Sequence, residues 1–163
     1  MRVLTAEEIR KYIGCDFLVG GSSAIRNAGW TTQVQRMPEL ITRGPTLRDL
    51  DGVRLRSRTP ELFDALMAWT CPMGYAPDGL LSGGSDWPVL LPGMAIADAL
   101  VDRRNGGGTH IYDPDDLDPD EVGDGATDDL KQALKALGQE TDGVPLVDDY
   151  LRALAGEAGP GPS

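Results

Sequence analysis

Apolar positions recur along this chain in two rhythms, a helical one of three to four residues and an alternating one of two. Thr5 followed by Glu8 has the spacing of a capping box, Ile9, Tyr12 and Ile13 share one helical face, and Gly14 can end the turn. The pattern predicts a helix over 6–13. "DFLV" (16–19) then reads as a strand and "GGSS" as a turn. "WTTQVQR" (30–36) and "VRLRSR" (53–58) alternate at period two and predict two strands wet on one side. In the second, Arg54, Arg56 and Arg58 fall on one face and Val53 and Leu55 on the other.

Thr59, Pro60 and Glu61 form a cap, an N1 proline and a first-turn acid, and Leu62, Phe63, Leu66 and Met67 carry a helix to Trp69. From 71 to 92 the period dissolves into a long irregular loop, within which "PVLLP" is a short buried strand. Residues 93–104 are helical again, with Arg103 and Arg104 in the last turn before "NGGG". "THIY" (109–112) reads as a strand. Thr127 caps a helix striped by Leu130, Ala133, Leu134 and Leu137, and a last helix starts at Pro145, the pair making a hairpin.

The fold class expected is therefore α+β: a small mixed or antiparallel sheet with several short helices, the irregular loop at 71–92, and a C-terminal helical hairpin. The chain divides into a core at 1–110, an acidic linker or capping segment at 111–126, the hairpin at 127–156 and a flexible tail at 157–163.

Charge changes this picture. Residues 1–110 hold 12 basic and 12 acidic side chains, whereas 111–163 hold 3 against 14, which accounts for the whole formal charge of −11. Within the neutral part, 26–58 has seven arginines against Glu39, Asp49 and Asp51. Such polarity acts on association rather than on fold. It suits contact between oppositely charged ends of neighbouring subunits, with Arg54, Arg56 and Arg58 as the basic face and Asp113, Asp115, Asp116, Asp118 and Asp120 as the acidic one. Nucleic acid is disfavoured as a partner, because the whole molecule repels a polyanion and no aromatic interrupts 53–58.

The acidic stretch offers Asp116, Asp118, Asp120 and Asp124 at alternating calcium-loop positions, but Glu121 stands where a glycine must turn and Thr127 where a glutamate must close the shell. Asp113-Pro114 and Asp118-Pro119 instead have the order of helix caps followed by N1 prolines. No metal or cofactor is expected. His110, the sole histidine, with Cys71 or Cys15 as a thiolate nucleophile, is the one constellation that would make a small enzyme. "LVGGSSAIRNAG" has the strand, glycine turn, helix order of a phosphate loop without its lysine.

No apolar run approaches a membrane span, and the charged first residues leave no secretory core. The chain reads as cytoplasmic, or as part of a virion: arginine in place of lysine, with abundant Ala, Gly, Asp and Pro, marks G+C-rich coding such as that of actinobacteria and their phages. The expectation is a non-enzymatic interaction or assembly component, a phage virion structural protein among them, forming a homo-oligomer or part of a larger assembly. The alternatives are an acidic regulator that occupies a basic, nucleic-acid-binding partner, and a small enzyme using His110.

Overall fold

The computed structural model describes residues 5–31, 37–73, 87–110, 112, 117 and 126–137. Its architecture is mixed α/β, with a five-stranded sheet in the order β3-β2-β1-β5-β4. The elements in chain order are α1 (Ala6–Ile13), β1 (Phe17–Val19), α2 (Gly21–Asn27), β2 (Glu39–Arg43), β3 (Arg54–Arg58), α3 (Pro60–Met67), β4 (Thr70–Met73), β5 (Trp87–Leu90), α4 (Pro92–Arg104) and α5 (Ala126–Ala136). The sheet is mixed: β1 runs antiparallel to β2 and parallel to β5, β2 parallel to β3, and β4 antiparallel to β5.

Local chemistry sets the predicted helices. The Thr5 hydroxyl accepts from the Glu8 amide at 3.1 Å while the Glu8 carboxylate accepts from the Thr5 amide at 3.2 Å. Two orphan donors of the first turn are thereby satisfied reciprocally. Gly14, at φ 85, donates its amide to the Arg10 carbonyl at 2.9 Å and ends α1 in the left-handed conformation that glycine adopts freely. In α3 the Thr59 hydroxyl caps the Leu62 amide at 3.3 Å, with Pro60 at the first helical position.

Alternation then assigns the layers. Leu18 lies opposite Ile41, and Glu39, two residues before Ile41, shares that face and bonds to Ser22 of α2. Phe17, on the other face, packs against Trp87 at 5.7 Å between centroids and carries the Arg10 guanidinium of α1 at 5.1 Å. So α1 covers one face of the sheet and α2 the other. α4 lies against α2, and α5 packs on α4, with Leu130, Ala133 and Leu134 buried in the same core as the sheet. Every residue from Gly93 to Leu100 is buried, as a helix covered on all sides requires.

Several expectations need correction. "GGSS" is not a simple turn, because Gly21, Ser22 and Ser23 open α2. A strand not anticipated, β2, lies at 39–43; of the strand expected at 30–36, Trp30 and Thr31 are not in a strand and the rest lies outside the described residues. Thr109, His110 and Tyr112 are likewise outside any strand. The loop expected at 71–92 is narrower, since β4 takes its start and β5 and Pro92 its end; residues 74–86 lie outside the described residues. So do the hairpin's second helix, the tail and the five linker aspartates.

β4 and β5 place Pro72 opposite Pro88. Neither has an amide proton, so this pair sits at a non-hydrogen-bonded position and the flanking pairs, Cys71 with Val89 and Met73 with Trp87, supply the ladder. Both proline nitrogens then point away from each other, that of Pro88 toward β1. Pairing of β5 with β1 is accordingly brief, through Val19 and Val89.

Candidate functional site

The densest polar chemistry among the described residues runs along β2 and β3 where they meet α2 and α4, from Glu39 at one end of the pair to Arg58 at the other, and charged side chains are buried there. Glu39 opens β2 with no exposed surface. Its Oε1 accepts from the Ser22 amide at 3.1 Å and the Ser22 hydroxyl at 2.8 Å. Oε2 accepts from Arg56 Nε at 3.2 Å and from the His110 amide at 3.1 Å, and the Glu39 amide donates to Ser23 Oγ at 2.9 Å. A Cβ on Gly21, whose φ is 55, would strike the Glu39 carboxylate. The segment with phosphate-loop order is therefore filled by the chain's own carboxylate, and the glycine is needed for that approach.

Beside it, Arg58 leaves the end of β3 and meets Asp98 of α4 in a two-point fork, Nε to Oδ1 at 3.0 Å and Nη2 to Oδ2 at 2.9 Å. Side-chain exposure is only 5% for Arg58 and 1% for Asp98. Arg58 Nη2 also donates to Thr109 Oγ1 at 2.7 Å, and Nη1 stands 3.4 Å from Asp102 Oδ1. Thr109 donates twice to Asp102 Oδ2, from its amide at 3.0 Å and its hydroxyl at 2.6 Å, and its carbonyl accepts from Arg103 at 3.3 Å.

The environments push the carboxyls apart. Burial drives the Asp98 carboxyl above the ordinary aspartate value against the pull of Arg58. Burial also acts upward on Asp102, but the two Thr109 donors and the charges of Arg58 and Arg56 outweigh it and hold that carboxyl below the ordinary value. For Arg58 burial acts downward, yet Asp98, Asp102 and Glu39 keep the guanidinium firmly charged.

The three arginines expected on one wet face thus differ. Arg54 is exposed, Arg56 is half-buried on Glu39, and Arg58 is inside the molecule, which corrects the reading of a wholly solvated basic face. Of the other arginines in 26–58, Arg43 is paired with Asp64 at 3.0 Å and Arg48 lies 5.1 Å over the Tyr12 ring.

The constellation around His110 does not assemble. Its amide is tied to Glu39 on β2, whereas Cys71 sits on β4, three strand spacings or roughly 14 Å across the sheet. Cys15 precedes β1, at the Arg43 end of β2, four residues or about 13 Å along the strand from Glu39. Burial pushes the Cys15 thiol above its ordinary value, away from the thiolate form. Cys71 lies at the rim of an apolar cavity of about 150 Å³ between α2 and the end of β5, lined also by Ala24, Ala28 and Val89. The imidazole of His110 meets the Tyr112 ring edge-on at 5.2 Å. Among the described residues no cluster of His, Cys, Asp or Glu could hold a metal ion, and no helix is long and apolar enough to cross a membrane.

Glu39, Asp98, Asp102 and Thr109 were not singled out from sequence. One signal was present: Asp98 interrupts the apolar run "AIADALV", where a lone charge on a buried helix requires a partner. Comparison with family models, with curated proteins and with solved structures finds no match.

Proposed function

We propose that this chain is a non-enzymatic interaction component whose acidic C-terminal third engages a basic surface on a protein partner, within an assembly such as a virion. The carrying observation is the internal use of the arginines. Arg43, Arg56 and Arg58 are neutralised by Asp64, Glu39 and Asp98 within the described residues. Among the described residues these three arginines therefore form no free positive face for the 14 acidic residues of 111–163, which have 3 basic ones among them. A partner's lysines and arginines would supply it, and complementary charge would speed and orient the encounter.

Head-to-tail contact between copies through Arg54, Arg56 and Arg58 is the less favoured form of this reading, because burial takes Arg58 out of reach. Both forms are tested by native mass in extracts of the source, measured at low and high salt for the wild type and for a variant with Asp113, Asp115, Asp116, Asp118 and Asp120 changed to asparagine. The expected result is a complex that dissociates as salt rises to about 0.5 M, where the screening length falls to a few ångströms, and that the variant fails to form. A chain that is monomeric in every condition, or a complex indifferent to both salt and substitution, overturns the proposal. Identification of the companion separates a foreign partner from a second copy.

A further inference from the structure

Strand β3 forms one edge of the sheet, with β2 on its inner side. Parallel pairing divides its backbone groups between the two sides. The Arg54 amide donates to the Pro38 carbonyl at 2.9 Å and the Arg58 carbonyl accepts from the Gly44 amide at 2.9 Å, so Arg54, Arg56 and Arg58 turn their backbone groups toward β2. Those of Leu55 and Ser57, between them, point outward. The Ser57 carbonyl accepts from Arg58 Nη1 at 3.1 Å, but among the described residues no partner meets the Leu55 amide, the Leu55 carbonyl or the Ser57 amide. Arg54 and Ser57 are exposed and Leu55 is half-buried, so this row of unpaired groups lies at the surface.

Side chains decide what can add there. Arg54, Arg56 and Arg58 share one face of the strand and Leu55 lies on the other. Arg56 is matched by Glu39 and Arg58 by Asp98, whereas Arg54 has no ion pair among the described residues. A second copy pairing through this edge about a two-fold axis meets like charge in every register. With Leu55 opposite its counterpart, Arg54 faces Arg56; with Leu55 opposite Ser57, Arg56 faces Arg56; with Ser57 opposite its counterpart, Arg56 faces Arg58. Like charges directly opposite one another disfavour a strand pair. We propose that the outer edge of β3 is a docking site for an extended segment of a partner protein, which adds to the sheet with acidic side chains on the Arg54 face and a β-branched apolar side chain beside Leu55. The main-chain bonds hold such a segment and the alternate side chains select it. This surface is separate in sequence from the acidic third, and its occupancy does not depend on what that third engages.

Residue-resolved NMR titration of the full chain tests this with three capped peptides: TVEVEVT, its counterpart TVKVKVT, and the first with every central amide N-methylated. The glutamate peptide is expected to move the Leu55 and Ser57 amide signals, with half-saturation at about 1 mM or below, and to slow their hydrogen exchange. The lysine and N-methylated peptides are expected to bind at least about tenfold more weakly, the first for want of charge match and the second for want of ladder bonds. In Arg54→Glu, a change at an exposed site, the order of the glutamate and lysine peptides is expected to reverse, because Glu39 already matches Arg56. No shift at Leu55 and Ser57 up to about 5 mM peptide, an equal response to all three peptides, or shifts centred on β4 overturns the proposal. So does protection of those two amides in the chain alone, which would give the edge to a second copy if the mass is that of a dimer, and to another segment of this chain if it is that of a monomer.

Discussion

Arg58 and Asp98 are a buried ion pair, and burial decides what each is worth. The fork satisfies both carboxylate oxygens, and the remaining guanidinium protons go to Thr109 and the Ser57 carbonyl. Such a pair adds little stability over a well-packed apolar one, but breaking it strands the survivor. Asp98→Ala is expected to cost about 3 kcal/mol, at the low end for a stranded buried charge because Asp102 still faces Arg58. Denaturant unfolding of the variant measures it. The exposed Arg43–Asp64 pair is a contrast at the same bond length; its Asp64→Ala partner experiment should barely move the midpoint. At this scale the sequence was half legible: the charge in "AIADALV" announced a need for a partner, but the partner lies 40 residues earlier in the chain on a strand whose arginines alternate as surface residues do. Distance in sequence, not subtlety of pattern, hid it.

At the level of elements, α4 is covered on both sides, and α5 supplies the outer cover through Leu130, Ala133 and Leu134. Leu134→Ala is expected to destabilise the whole fold by about 3 kcal/mol, the cost of lost burial plus the cavity left behind. Thermal unfolding should show a single transition at lower temperature; an early separate melt of α5 with an unmoved main transition would contradict the shared core. The helices α1 and α3 were readable because their caps and apolar stripes are local, and α5 from its stripe alone, since Thr127, expected as its cap, lies inside the helix. β2 was not, since "ELIT" is buried at every position and carries no alternation. β4 was hidden by Pro72, which argues against a strand unless its nitrogen faces away from the ladder. α2 has poor intrinsic propensity in "GSSA", and its first turn is held by a carboxylate 17 residues later, so its existence depends on tertiary structure.

For the molecule as a whole, the linked carboxyls set how stability responds to acid. Asp102 is held below its unfolded value, so it contributes stability that is present above the ordinary aspartate range and lost as pH falls through its folded value. Asp98, raised above its unfolded value, acts in the opposite sense, favouring the fold at low pH and losing that contribution as pH rises through its folded value. Asp102→Asn should therefore differ most from wild type near neutrality and converge with it as pH drops from about 5 to about 2. Urea unfolding across that range checks it, and a gap independent of pH would be the contrary result.

The facing prolines of β4 and β5 bear on the fate of the molecule in a crowded solution. β4 is the outermost strand on its side among the described residues, and with the Pro72 nitrogen turned outward a foreign strand arriving there finds a missing donor in mid-register. The rim can thus be left uncovered without seeding fibril growth, a protection built from a single imino acid rather than from charge.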